Sequence, residues 1–136
     1  CKAAIWRDTT RVPFIVVSPG VAKAGLRNNQ PISHVDIYPS LCDFAGIPKP
    51  THLEGRSILP LLKDQSATRD VAFLSYGPEN TAAQSERYRY LRYEDGSEEL
   101  YDHKKDPHEW DNLIGNKKYQ NLTKKMRAQV LAFQKK

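Results

Sequence analysis

Asp95-Gly96, flanked on both sides by strand-forming residues, most narrows what this chain can fold into. An Asp-Gly pair supplies the positive-φ positions of a two-residue hairpin turn, and the turn sets the pairing of its strands. A two-residue turn places Arg92 opposite Glu99, Leu91 opposite Leu100, Tyr90 opposite Tyr101 and Arg89 opposite Asp102. Two opposite-charge pairs, an aliphatic pair and an aromatic pair each contribute about 0.2–1 kcal/mol. A hairpin over residues 87–102 is therefore expected. Beyond it, Tyr119, Leu122, Met126, Val130 and Phe133 recur at spacings of three and four, which predicts one amphipathic helix over 117–134 packed on a sheet.

The first half reads differently. Phe14 to Ser18 is a continuous apolar, β-branched run closed by Pro19-Gly20, the pattern of a strand covered on both faces of an α/β sheet. Residues 21–31 show no period and are expected as a surface loop. Ser33 and Asp36 are N-cap candidates for a helix carrying Tyr38, Leu41, Cys42 and Ala45 and ended by Gly46, with Pro48 and Pro50 forbidding a continuation. Residues 57–62 form a short apolar turn of helix, and 71–76 are a second candidate strand. The order strand, helix, strand, hairpin, helix is α/β passing into α+β.

At 136 residues, with 39% hydrophobic and 27% charged side chains, the chain has one domain's worth of sequence and is neither a disordered tail nor a collagenous or coiled-coil chain. No apolar run approaches the ~18 residues of a membrane span. A first residue other than Met, running almost at once into an apolar strand, is expected of a chain that begins inside a longer protein.

The net charge of +5 raises the question of a nucleic-acid partner. Residues 117–136 carry seven basic side chains and no acid, which leaves the first 116 residues at −2. The basicity thus belongs to the outer face of the terminal helix, where a solvated surface explains it. The alternation in Arg87-Tyr88-Arg89-Tyr90-Leu91-Arg92-Tyr93 could form a base-stacking platform, but in the expected hairpin Arg89 and Arg92 already have acidic partners. A small basic nucleic-acid-binding module is the rival from a different functional class, and a purely structural module is a third reading.

Cys1 and Cys42 form no zinc-ligand spacing, and Cys42 reads as a small core residue. Asn121-Leu122-Thr123 matches the glycosylation pattern but lies in a predicted helix. Of the four histidines, His103 and His108 flank an Asp-Pro turn and are expected as exposed loop residues. The carboxylates of 102–109 are read as that turn rather than as an acid/base pair or cation loop. His52, between Pro50 and Gly55, lies in a loop that can present a functional side chain. No complete catalytic constellation is readable from the residues themselves.

The order of local motifs is more specific. Thr10-Arg11-Val12-Pro13-Phe14-Ile15-Val16-Val17-Ser18-Pro19-Gly20, Ser33-His34-Val35-Asp36-Ile37-Tyr38-Pro39-Ser40-Leu41, Ala45-Gly46-Ile47-Pro48 and Leu53-Glu54-Gly55-Arg56-Ser57-Ile58-Leu59-Pro60-Leu61-Leu62 resemble the C-terminal part of type I, formylglycine-dependent sulfatases. Arg87-Tyr88-Arg89-Tyr90, Glu98-Glu99-Leu100-Tyr101-Asp102, Asp106-Pro107-His108-Glu109 and Asn112-Leu113 are similar to that family's closing hairpin and tail, nearest in flavour to its iduronate-2-sulfatase-like branch.

The resemblance implies an alkaline-phosphatase-like fold, with residues 1–64 as the end of the α/β catalytic domain and 65–136 as a small α+β C-terminal subdomain. It implies hydrolysis of sulfate esters on sulfated carbohydrate, a partner in the rest of the sulfatase chain, and neither nucleic acid nor membrane. A divalent cation of the calcium type and a formylglycine nucleophile would come from upstream segments, since Cys1-Lys2-Ala3-Ala4-Ile5 does not fit the Cys/Ser-x-Pro/Ala-x-Arg signature. No metal ligand is expected in these residues, and 136 residues alone are expected to be inactive.

By resemblance, Lys2, nine positions before Arg11, contacts the sulfate group, where an ammonium stabilises charge developing on the sulfuryl oxygens. His52 is the second site candidate, for substrate binding. Where relatives carry His and Arg shortly before the hairpin's Arg-Tyr, this chain has Thr81 and Gln84, which implies a changed substrate contact. The resemblance further implies a periplasmic, secreted or lysosomal protein. A phosphodiesterase or phosphonate hydrolase of the same superfamily is the enzymatic alternative.

Overall fold

The computed structural model describes residues 4–22, 24–77 and 79–135. In chain order the elements are helix α1 (Arg7–Thr10), a 3-10 turn (His34–Asp36) running into helix α2 (Ile37–Ala45), helix α3 (Leu59–Lys63), strands β1 (Ala72–Tyr76), β2 (Asn80–Gln84), β3 (Tyr88–Arg92) and β4 (Glu98–Asp102), and a 3-10 turn (Lys117–Tyr119) leading into helix α4 (Gln120–Gln134). They form two compact units, Cys1–Pro13 with Val71–Lys136, and Phe14–Asp70.

The sheet unit is an antiparallel meander in the order β1-β2-β3-β4. Successive side chains along a strand point to opposite faces. One face therefore presents Ala83, Tyr90 and Leu100 to Met126 and Val130 of α4, with Phe73, Tyr88, Tyr119 and Leu122 at the margins. Phe73 stacks on Phe133 at 4.4 Å between ring centroids. The helix stripe expected from spacing is thus the one that packs. The opposite face carries Ala82, Leu91 and Tyr101 and is covered by Ile5 of the N-terminal arm.

The hairpin forms, but one residue out of the expected register. Arg92 pairs with Glu98, Leu91 with Glu99, Tyr90 with Leu100, Arg89 with Tyr101 and Tyr88 with Asp102. The cause is a three-residue connection, Glu94-Asp95-Gly96, in place of the expected two-residue one. Gly96 N–H bonds to Tyr93 O and Tyr93 N–H to Ser97 O, both at 3.0 Å. Gly96 sits at φ 82°, the left-handed position after a type I turn. Asp95 Oδ1 accepts from the Ser97 backbone N–H at 2.8 Å, a side-chain turn that favours this closure.

The shift redistributes the charges. Asp102 is gripped by Arg87 Nε and Nη2 at 2.7 and 2.6 Å rather than by Arg89. Glu98 takes Arg127 of α4 through Nε at 2.5 Å and through Nη2, and also accepts from the Tyr90 hydroxyl. The hydrogen bond from Arg87 holds the Asp102 carboxyl below the usual carboxylate range, and that from Arg127 does the same for Glu98. Carboxyls that bind protons less readily folded than unfolded stabilise the fold above about pH 4 and lose that contribution as pH falls through their lowered native values. The urea midpoint is expected to fall between pH 7 and pH 3, and Glu98→Gln should show a smaller fall. An equal fall in both would remove Glu98 from the acid response.

In the second unit, Asp36 is the organising residue. Its buried carboxylate accepts from Ser33 N–H, Arg56 N–H and Arg69 Nη1, each at 2.7 Å. Ser40 Oγ donates to Asp36 O at 2.5 Å and accepts from Ile58 N–H at 2.9 Å. A Cβ on Gly55 would lie 1.9 Å from Val35 O, so only glycine lets the 53–57 segment pass close enough for Arg56 to reach Asp36. Helix α2 follows the capping signals and ends at Gly46, and Cys42 is buried as expected. Its buried positions, however, are Pro39, Ser40 and Cys42, while Tyr38 and Leu41 are exposed.

Residues 14–18 form no strand. They carry no regular secondary structure, with Ile15 and Val17 86% and 87% exposed, against the expectation of a strand covered on both faces. A parallel-type strand takes its ladder and both covering layers from other segments. The single sheet among the described residues is the β1–β4 meander, which does not include 14–18.

Candidate functional site

A short arm, residues 4–10, lies on the face of the sheet opposite α4 and is held by a buried cluster of polar side chains. Ile5 is buried, and its carbonyl accepts from Arg89 Nε at 3.1 Å and from Arg89 Nη2. Arg89 Nη2 also donates to Thr10 Oγ1 at 3.0 Å. Arg7 N–H donates to Glu109 Oε2 at 2.8 Å, Arg7 Nη1 to Pro107 O at 2.8 Å, and Trp6 Nε1 to Glu99 Oε2 at 3.0 Å.

Beneath the arm the side chains close into a ring. Arg89 Nη1 donates to Gln84 Oε1 at 3.1 Å, so the Gln84 amide nitrogen faces His103 Nδ1 at 3.3 Å. That orientation makes Nδ1 an acceptor and assigns the proton to Nε2, which donates to Glu109 Oε1 at 2.7 Å. Glu109 Oε1 completes the circuit 3.7 Å from Arg89 Nε. The side chains of Arg89, His103 and Glu109 are all buried, and burial lowers the affinity of the Arg89 guanidinium for its proton. Glu109 sits at φ 60°, a conformation that costs a non-glycine residue of order 1–3 kcal/mol.

His103 is therefore not the exposed loop residue its neighbourhood predicts. The 102–109 segment does turn, at 103–105 and 107–108, but it carries His103 and Glu109 inward, while His108 stays exposed and stacks on Trp110 at 5.3 Å. Thr81 and Gln84 are taken up by the sheet: Thr81 is buried and accepts from Gln134 Nε2 at 3.1 Å. Arg87 and Arg89 of the alternating Arg/Tyr run are bound by Asp102 and by the ring.

His52 is exposed in a turn of the 14–70 unit. Lys2 lies outside the described residues. Among the described residues no group of three or more His, Cys, Asp or Glu side chains could hold a metal ion. No helix among them is long and apolar enough to cross a membrane.

Residues 2–136 match the family model described as N-sulphoglucosamine sulphohydrolase, C-terminal. The chain belongs to this family. It is 32% identical over 128 residues to a sulfatase of Formosa agariphila, covering 93% of this chain and 25% of that protein. It is 32% identical over 141 residues to a delta 4,5-hexuronate-2-O-sulfatase of Bacteroides thetaiotaomicron, covering 92% and 28%. A protein solved in complex with its substrate D-glucosamine-2-N,6-O-disulfate superposes with a TM-score of 0.65 at 25% identity, covering 86% of this chain and 26% of that one. The chain thus spans about a quarter of the length of the curated relatives it matches. The meander backed by a terminal helix is the C-terminal subdomain architecture of alkaline-phosphatase-like sulfatases, as expected from the motifs.

Proposed function

We propose that these residues are the C-terminal part of a sulfatase that hydrolyses sulfate esters on sulfated carbohydrate. The observation that carries the reading is the family match across residues 2–136. The relatives' names, a hexuronate-2-O-sulfatase and a protein bound to a disulfated glucosamine, supply the substrate class. On this reading residues 1–64 end the catalytic α/β domain and 65–136 form the subdomain beside it. The exposed apolar run 14–18 becomes a strand of the large sheet once upstream segments cover it.

Lys2 then contacts the sulfate group, and His52 approaches the substrate from its loop. The formylglycine and the residues holding a calcium-type cation belong to upstream segments, and the protein is exported or lysosomal. These assignments rest on kinship and on the chemistry of an ammonium facing a sulfuryl group. What these residues themselves supply is a wall and one positive charge.

The test compares two purified proteins on an aryl sulfate, a 2-O-sulfated unsaturated disaccharide and a phosphonate monoester. The intact protein is expected to release sulfate from the first two, and the 136-residue chain to show no turnover. Turnover of the phosphonate alone by the intact protein would overturn the sulfatase reading. Measurable turnover by the 136 residues would overturn the claim that the nucleophile lies upstream.

A further inference from the structure

We propose that a cleft between the turn after β4 and the 3-10 turn before α4 binds an anionic sugar unit of the substrate. The proposal rests on the reading of the protein as a sulfatase of sulfated carbohydrate and names the residues of this chain that would grip the saccharide.

The cleft has a volume of about 310 Å³. Clefts that take small ligands begin at roughly that size and extend to about 1,000 Å³. Its apolar lining comes from Leu113 and Tyr119, both half-buried against the core under α4. The Tyr119 ring is held edge-on to Tyr88 at 6.2 Å between centroids, so this wall is fixed before any ligand arrives.

Three carboxylates and two lysines also line the cleft. Two of the carboxylates are engaged: Asp102 by Arg87 through both oxygens, and Asp106 through Oδ2, which accepts from the Asp111 N–H at 2.9 Å. The lysines are not. Lys105 and Lys118 are exposed, and neither ammonium forms an ion pair with a described carboxylate. Lys118 Nζ stands 6.0 Å from the centroid of the Tyr119 ring, which sets a free positive charge beside the apolar wall. Asn116 Oδ1 accepts from the Lys118 N–H at 3.0 Å, leaving its NH2 as a donor, and the exposed Asp111 carboxylate is an acceptor.

A unit of a sulfated polysaccharide presents a C–H face, hydroxyls that donate and accept, and an anionic ester or carboxylate. The cleft has a partner for each: the Leu113–Tyr119 wall, the Asp111 and Asn116 side chains, and the two ammonium groups. A small cation would be repelled by the lysines, and a purely apolar ligand would strip water from charges it could not replace. Bases of a nucleic acid stack on successive aromatic faces, which one ring packed edge-on to its neighbour does not offer.

The experiment uses the intact protein in three forms: unaltered, Lys105→Gln with Lys118→Gln, and a control, Lys124→Gln with Lys135→Gln. The control pair is exposed on and just beyond α4, does not line the cleft and removes the same charge. Binding of a heparin-derived hexasaccharide is measured at constant ionic strength. The cleft pair is expected to weaken it roughly tenfold and the control pair less than about twofold. Hydrogen exchange across residues 115–119 should slow on binding in the unaltered protein and not in the cleft pair. On full-length heparin the cleft pair should raise KM about fivefold with kcat within about twofold, the mark of binding shared by ester and transition state.

Equal weakening by the two pairs would reveal diffuse attraction to a basic surface and overturn the proposal. Equal binding of the fully desulfated hexasaccharide would overturn the role of the ammonium groups. Displacement of the hexasaccharide by inorganic sulfate at equal sulfate concentration would mark an anion site without sugar recognition, and tighter binding of a single-stranded oligonucleotide of the same charge would mark a nucleic-acid site; either overturns the proposal. A fall in kcat at constant KM would assign the lysines to the reaction itself and overturn a binding role. Absence of sulfate release by the unaltered protein would count against the sulfatase reading, while the binding comparison decides the cleft without it.

Discussion

Replacement of Tyr90 by Ala is expected to destabilise the sheet unit by about 3–5 kcal/mol, the range for deleting a large aromatic side chain from a core. Tyr90 is 0% exposed at the centre of β3, with Ala83 and Leu100 beside it on the sheet and Met126 and Val130 against it from α4. Its hydroxyl donates to Glu98, itself bound by Arg127, so the substitution opens a cavity and also breaks a link between sheet and helix. Trp110 is the control: a larger aromatic, 82% exposed, whose replacement by Ala is expected to change stability by no more than about 0.5 kcal/mol. Urea denaturation of the two variants beside the unaltered protein decides the matter. Equal losses would show that the core does not lie where Tyr90 places it.

Much of this architecture was legible because periodicity and punctuation report locally determined structure. The terminal helix showed in the spacing of Met126, Val130 and Phe133, and α2 in its flanking Ser33 and Gly46. Strand β2 did not show, because Asn80-Thr81-Ala82-Ala83-Gln84 has little intrinsic strand preference and is held by neighbours on both sides. The hairpin register slipped by one for a comparable reason. Asp-Gly serves both two-residue and three-residue connections, and the choice lay with the Asp95 side chain bonding to Ser97. Complementary charges do not arbitrate, since Arg89 and Asp102, opposite one another in the two-residue register, have good partners in the observed one, Gln84 and the arm for Arg89 and Arg87 for Asp102.

The motifs that carried the family resemblance have a structural explanation. In Ser33-His34-Val35-Asp36 and Leu53-Glu54-Gly55-Arg56-Ser57, the specific residues are those that build and approach the Asp36 cluster. They identify the fold sharply because a buried carboxylate with three donors tolerates few substitutes. The ring beneath the arm was not legible, because its members come from β2, β3 and two places in the turn after β4. Only the inward swing of Glu109, at a backbone angle no spacing rule anticipates, brings them together.

On the proposed reading, in which Lys2 contacts the sulfate group, Lys2→Ala in the intact protein is expected to lower kcat for sulfate release by about 100- to 1,000-fold, the range for removing one group that stabilises charge in a transition state. As sulfur passes to the attacking oxygen, charge builds on the sulfuryl oxygens, and an ammonium aimed there counts for more in the transition state than in the bound ester. The loss should therefore fall mainly on kcat. Lys2→Arg keeps the charge but spreads it over a planar fork of different length, and should recover only part of the activity. His52→Ala tests the other candidate, for which a contact made equally with bound ester and transition state predicts a rise in KM at nearly constant kcat. If Lys2→Ala raised KM alone, the lysine would be a ground-state anchor for the sulfated sugar.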